Sequence, residues 1–189
     1  MSQALVSLSP AIFLDRDGVI NEDRGYVWRW ADWRWLPGSF EALKALKAAG
    51  FKLVIVTNQA GVARGLYKEA DVQKLHERLA LELKKQNIAL DGAYYCPHHP
   101  DFTGPCACRK PEPGLIFQAA QDLGLDLAAS FLVGDKTTDI AAGIKAGVTS
   151  LLVRSGYGLI SESAIPQGIQ VFDDLAAASR FILNNHSRQ

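Results

Sequence analysis

Two carboxylates, Asp15 and Asp17, close an apolar run that begins at Ala11, with only Arg16 between them. Anions this close repel each other unless a cation sits between them. Either they decorate a solvated turn, or they hold a metal and do chemistry. Thr57 ends a second apolar run, Asp135 ends another, and glycine lies beside both Asp17 and Asp135. Any one of these is explained by the liking of Asp and Thr for strand ends and helix caps. Together they favour a site. Carboxylates and backbone oxygens are hard ligands that suit Mg²⁺, which takes few protein carboxylates, and Asp15 and Asp135 would suffice. So acidic a site admits a phosphate only when a metal, a lysine and hydroxyl or backbone donors offset the charge. A carboxylate can then attack phosphorus to give an acyl phosphate. A second carboxylic acid can protonate the leaving oxygen and later activate water.

A second cluster lies in "CPHHPDFTGPCAC", which holds Cys96, His98, His99, Cys106 and Cys108. All three cysteines of the chain fall here. An odd, clustered count argues against a disulfide framework and for a metal. Three thiolates and one imidazole complete a tetrahedral Zn²⁺ shell with no open position, which suits structure rather than catalysis. Spacing does not choose between His98 and His99. Arg109 and Lys110 follow Cys108 directly, so a zinc-bound loop would fix where they point.

These residues need a scaffold. The 189 residues suit one domain, 1–189, with a sizeable core. Twenty Lys and Arg balance twenty Asp and Glu, which gives no global case for nucleic acid or a membrane surface. The first ten residues carry no signal-peptide pattern and no run approaches a membrane span, so a soluble cytoplasmic monomer is expected. Strands are expected at Ala11–Leu14, Lys52–Thr57, "GAYYC", Ser130–Asp135, "TSLLV" and "IQVF". Helical spacing marks "SFEALKALKAAG", Glu69–Gln86, Gly114–Gly124, Asp139–Gly147 and "DDLAAASRFILNN". Continuous apolar strands alternating with helices imply a doubly wound α/β domain around a parallel sheet. Such sheets bind ligands beyond the carboxyl ends of their strands, where Asp15, Thr57 and Asp135 would stand on one rim.

"DRDGVIN", "VTNQAGVARG", "CRKPEPG" and "VGDKTTD" resemble, in order, the four motifs of the haloacid dehalogenase superfamily of phosphatases. The resemblance implies that superfamily's Rossmann-like fold, with Asp15 as nucleophile and Asp17 as general acid/base. It implies that Thr57 binds the transferring phosphoryl group and Lys110 neutralises it. Mg²⁺ would be held by Asp15, Asp135 and the backbone carbonyl of Asp17. Asp139 would support that site or cap the next helix. The zinc loop stands where larger relatives insert a cap, and there is no room for a separate cap domain. Two families share this plan, the D,D-heptose 1,7-bisphosphate phosphatases and the histidinol-phosphate phosphatases. "EDRGYV", "TNQAGVARG", "GDKTTD" and "LLVRSGYG" resemble the first more closely. That family uses the first histidine for zinc, here His98, with Cys96, Cys106 and Cys108.

The resemblance implies removal of the 7-phosphate of D-glycero-D-manno-heptose 1,7-bisphosphate, in the making of nucleotide-activated heptose for lipopolysaccharide. Arg109 is expected at the distal phosphate, because its fork suits phosphate oxygens. Asn21, Asp23, Arg24, Gly25, Tyr26, Asn58, Gln59, Ala60 and Lys136 are expected along the path between the phosphates. Tyr67 stands where the family often has a capping Thr or Ser, a change expected to touch no chemistry, and the zinc loop is shorter than in some members. Four tryptophans between Trp28 and Trp35 are expected to pack a flap rather than stack on sugar. The alternatives are a histidinol-phosphate phosphatase, a non-enzymatic receiver-like phospho-switch, and a zinc-bearing nucleic-acid module. The zinc clasp and the Asp15/Asp17 pair speak against the switch, and zero net charge speaks against nucleic acid.

Overall fold

The computed structural model describes residues 8–186. Six strands form one parallel sheet: β1 (Ser9–Leu14), β2 (Lys52–Asn58), β3 (Gly92–Cys96), β4 (Leu125–Gly134), β5 (Thr149–Val153) and β6 (Gln170–Phe172). Their order is β3-β2-β1-β4-β5-β6, so the winding reverses between β1 and β4. Side chains alternate faces along each strand. Ile12, Leu14, Leu53 and Ile55 enter one core, with α1 (Ser39–Ala48), α2 (Glu69–Lys84) and α7 (Leu175–His186). Ala11, Phe13, Val54 and Val56 enter the other, with α4 (Gly114–Leu123) and α5 (Thr137–Ala146). The doubly wound α/β reading therefore holds.

β4 starts earlier than the expected Ser130. Leu125 and Asp126 pair with Ser9 and Pro10, the register shifts, and Phe131 pairs with Ile12. Between them Asp126 Oδ1 accepts from the backbone of Ala128 and Ala129. That polar, alanine-rich stretch has no strand pattern to read. Short helices α3 (Pro100–Thr103) and α6 (Gly158–Ser161) and two 3-10 turns were also not signalled. Residues 15–38 form a flap with one such turn, Trp30–Asp32, and no cap domain is inserted among the described residues. Trp30 stacks on Trp33, and Trp33 and Trp35 meet edge to face, so these aromatics pack the flap as expected. Among the described residues no helix is long and apolar enough to cross a membrane.

Candidate active site

The winding reversal opens a cleft of about 630 Å³ beyond the carboxyl ends of the strands. β1 delivers Asp15 and β2 delivers Thr57, while Asp135, at the end of β4, is fully buried beside Asp15 and is not itself a lining residue. The loop after Cys108 supplies Lys110, 95 residues from Asp15 in sequence. Lys110 Nζ is buried between Asp15 Oδ1 at 2.9 Å and Asp139 Oδ1 at 2.7 Å, and it donates to the Val56 carbonyl at 2.7 Å. Its backbone is clamped by the Asn58 amide, which accepts from Lys110 N and donates to Lys110 O. Lys136 Nζ meets Asp135 at 3.2 Å, Asp23 at 3.3 Å and Asp15 at 3.9 Å.

Oxygens of Asp15, Asp135 and Asp139 lie within 4.8 Å of one another, all buried. Burial opposes the Asp15 charge, but Lys110 and Lys136 outweigh it and hold the carboxyl below its ordinary range. Asp135 is pushed up to about 7, first by burial and then by the Asp15 charge. Five carboxylates, Asp15, Asp17, Asp23, Asp135 and Asp139, contact three cations, Arg16, Lys110 and Lys136. A divalent cation fits both that charge deficit and the hard oxygen donors. Backbone packing adds to this fit. Gly18 (φ +90) and Gly156 (φ +61) press on Asp135, and a Cβ on either would sit 2.2 Å from its Oδ2. Asp139 is the third residue of α5 rather than its N-cap: it pairs with Lys110, and its Oδ2 accepts from the backbone of Asp135 and Lys136 at the helix start.

Asp17, which also lines the cleft, has other partners. Its Oδ2 accepts from Arg16 Nη2 at 2.7 Å and Gln59 Nε2 at 3.2 Å, and its Oδ1 from Arg16 Nε and Asn21 Nδ2. Arg16 is fully buried, with His76 Nε2 3.4 Å from its Nη1. Neither Arg16 nor His76 was among the expected site residues. His76 does fall on the apolar stripe of α2 with Val72, Leu75 and Leu79, which is a readable signal.

Asp15, Asp17, Asp23, Gly25, Tyr26, Thr57, Asn58, Gln59, Ala60, Arg109, Lys110 and Lys136 line the cleft. Three expectations need correction. Asn21 is fully buried behind Asp17 and does not line it. Arg24 is exposed and lines a neighbouring groove with Arg29 and Asp32. Tyr67, expected to lie apart from the site, is buried in the cleft wall, and its hydroxyl donates to Gln59 Oε1 at 2.8 Å. The α2 start is instead held by Asp71, which accepts from Lys68 N. Tyr157, whose ring lies 4.9 Å from Lys136 Nζ, is a lining residue that the sequence did not flag.

Cys96, His98, Cys106 and Cys108 converge beside the cleft. Contacts among their ligand atoms run from 2.9 to 3.7 Å, with His98 Nδ1 3.3 Å from Cys108 Sγ. Tetrahedral Zn²⁺ with bonds of 2.0–2.3 Å needs edges of roughly 3.5 Å, so this donor set fits it. Burial pushes the Cys96 thiol well up, followed by its contact with Cys108, and a metal ion bound to the sulfur would stabilise the thiolate and displace its proton to water. His99 turns away, its Nδ1 accepting from Asp101 N, and lines the cleft.

A family model described as "HAD-hyrolase-like" matches residues 107–178. The chain is 46% identical over 160 residues to the D-glycero-beta-D-manno-heptose-1,7-bisphosphate 7-phosphatase of Escherichia coli (strain K12), covering 82% of this chain and 84% of that one. It is 42% identical over 180 residues to the protein of that name from Pasteurella multocida (strain Pm70), covering 93% and 97%. The crystal structure of D,D-heptose 1.7-bisphosphate phosphatase from B. bronchiseptica, complexed with magnesium and phosphate, superposes with a TM-score of 0.86. That protein is 37% identical, and the match covers 93% of this chain and 99% of the other.

Proposed function

The chain belongs to the D-glycero-beta-D-manno-heptose-1,7-bisphosphate 7-phosphatase family, and from that premise we propose that it hydrolyses the 7-phosphate of that sugar bisphosphate and releases the 1-phosphate. The observation that carries this reading is Lys110 buried between Asp15 and Asp139 at the mouth of β1. An ammonium held there meets a phosphoryl group in transfer to Asp15.

Asp15, Asp135 and the Asp17 backbone carbonyl would hold Mg²⁺, which when bound supplies charge for the phosphoryl oxygens. An Asp15 oxygen attacks phosphorus, the bond from phosphorus to the C7 oxygen breaks, and Asp17 gives its proton to that oxygen. Asp17 then takes a proton from water, whose oxygen attacks the aspartyl phosphate and frees inorganic phosphate and Asp15. Thr57 Oγ1 accepts from Gln59 Nε2 at 3.0 Å, so its own hydrogen is available to a phosphoryl oxygen. Arg109 and Lys136, both on the cleft wall, are the cations for the distal phosphate and the path to it. Cys96, His98, Cys106 and Cys108 would hold a structural Zn²⁺. The product would feed nucleotide-activated heptose for lipopolysaccharide, in the cytoplasm.

Asp15→Asn removes the nucleophile at almost constant volume. Turnover should fall by roughly a thousandfold or more. In the wild type it should vanish when Mg²⁺ is chelated and return when Mg²⁺ is restored. Full activity in the variant, or without Mg²⁺, would contradict the mechanism.

A further inference from the structure

Gln59 stands at the centre of the catalytic group with all four of its amide's hydrogen-bonding capacities used. Its Nε2 donates to Asp17 Oδ2 at 3.2 Å and to Thr57 Oγ1 at 3.0 Å. Its Oε1 accepts from Tyr67 OH at 2.8 Å and from Arg16 Nη2 at 3.4 Å. One planar amide thus bridges the proton donor and the phosphoryl-binding hydroxyl. Of the two bonds that anchor its other end, the one from Tyr67 is the closer.

Tyr67 is itself fixed from several sides. Its ring presses on Gly61, where a Cβ would come within 2.1 Å of it. Trp28 stacks on it at 6.0 Å, and Tyr26 meets it edge-on at 6.5 Å. Its hydroxyl is pushed up to about 12, chiefly by burial, so it keeps its proton and remains a donor. Flap aromatics therefore bear on a hydroxyl whose task is to hold the Gln59 amide in one orientation.

We infer that Tyr67 is a positioning residue for Asp17: acting through Gln59, it aligns the acid with the leaving oxygen and ties that alignment to the packed flap. This rests on the reading of Asp17 as the proton donor. Without the hydroxyl, Gln59 Oε1 keeps only its longer contact with Arg16. The amide can then swing, and Asp17 and Thr57 lose a shared partner.

A test uses leaving groups that differ in their need for a proton. A sugar alkoxide must be protonated as it departs, whereas p-nitrophenolate leaves as a stable anion. The wild type, Tyr67→Phe and Asp17→Asn are compared on the heptose bisphosphate and on p-nitrophenyl phosphate. Tyr67→Phe keeps the ring and its packing, and its melting temperature reports the fold. The comparison is made in kcat/KM, which covers the steps up to departure of the leaving group, because hydrolysis of the aspartyl phosphate also uses Asp17 and is common to both substrates. Tyr67→Phe should lose roughly five- to tenfold in kcat/KM on the sugar substrate and less than about twofold on the aryl substrate. Asp17→Asn should show the same split in kcat/KM, enlarged to roughly a hundredfold or more on the sugar, while its kcat falls on both. Equal losses of kcat/KM on both substrates in Tyr67→Phe would overturn the inference if Asp17→Asn keeps its split. If Asp17→Asn loses kcat/KM equally on both, Asp17 is not the proton donor, and the inference falls with that reading.

Discussion

His76 and Arg16 face each other inside the molecule, ring nitrogen to guanidinium, and both are buried. Burial first, and the Arg16 charge second, hold His76 down to about 3 from its ordinary 6.5. In the unfolded chain this ring takes a proton as pH falls through 6.5; in the folded one it resists until near 3. Its contribution to stability is therefore complete above about pH 6.5 and shrinks as pH falls. The loss is on the order of 1 kcal/mol per pH unit while the two states differ by one proton. His76→Gln should flatten that acid limb. Urea unfolding at pH 7 and pH 5 should show the wild type losing roughly 1–2 kcal/mol more than the variant, and equal losses would contradict a buried neutral ring. That Asp15, Thr57, Lys110 and Asp135 come together at one end of the sheet was legible because each closes or follows a recognisable run. Asn21, Arg24 and Tyr67 sit elsewhere than expected because spacing does not encode which way a loop side chain turns: Asn21 turns to Asp17, Arg24 is exposed, and Tyr67 turns to Gln59.

Between β3 and α4 the chain makes its least regular excursion and its most consequential one. Cys96 ends β3, and Cys106 and Cys108 bring the loop back, so the next two residues are aimed at the cleft. Arg109 Nη1 donates to the carbonyl of His98 at 2.9 Å, which ties the guanidinium to the loop that carries the Cys/His cluster. Protein purified without added zinc should carry one Zn²⁺ per chain by elemental analysis. Cys106→Ala should lower that content, lower the melting temperature and reduce turnover through the displaced Arg109 and Lys110. A metal-free protein that is folded and fully active would contradict a structural role. The strands of this sheet were readable because both faces of a parallel sheet are buried, giving continuous apolar runs such as "KLVIVT". The early start of β4 was not, because Ser130 and Asp126 close that turn with local polar bonds rather than with apolar pattern.

At the scale of the molecule, the reversal of winding between β1 and β4 gathers residues 15 to 157 around one cleft. In the proposed function, Arg109 on its wall would take the second phosphate. Arg109→Ala should cost roughly ten- to a hundredfold in kcat/KM on the bisphosphate, the value of a charge-assisted contact. Its effect on a simple monophosphate should be small, and equal losses on the two would remove Arg109 from the distal phosphate. The most direct test follows D-glycero-beta-D-manno-heptose 1,7-bisphosphate by phosphorus NMR with the purified protein and Mg²⁺. The C7 phosphate resonance should disappear as inorganic phosphate grows, while the C1 phosphate stays intact. Loss of the C1 phosphate, no turnover, or faster hydrolysis of histidinol phosphate would contradict the account.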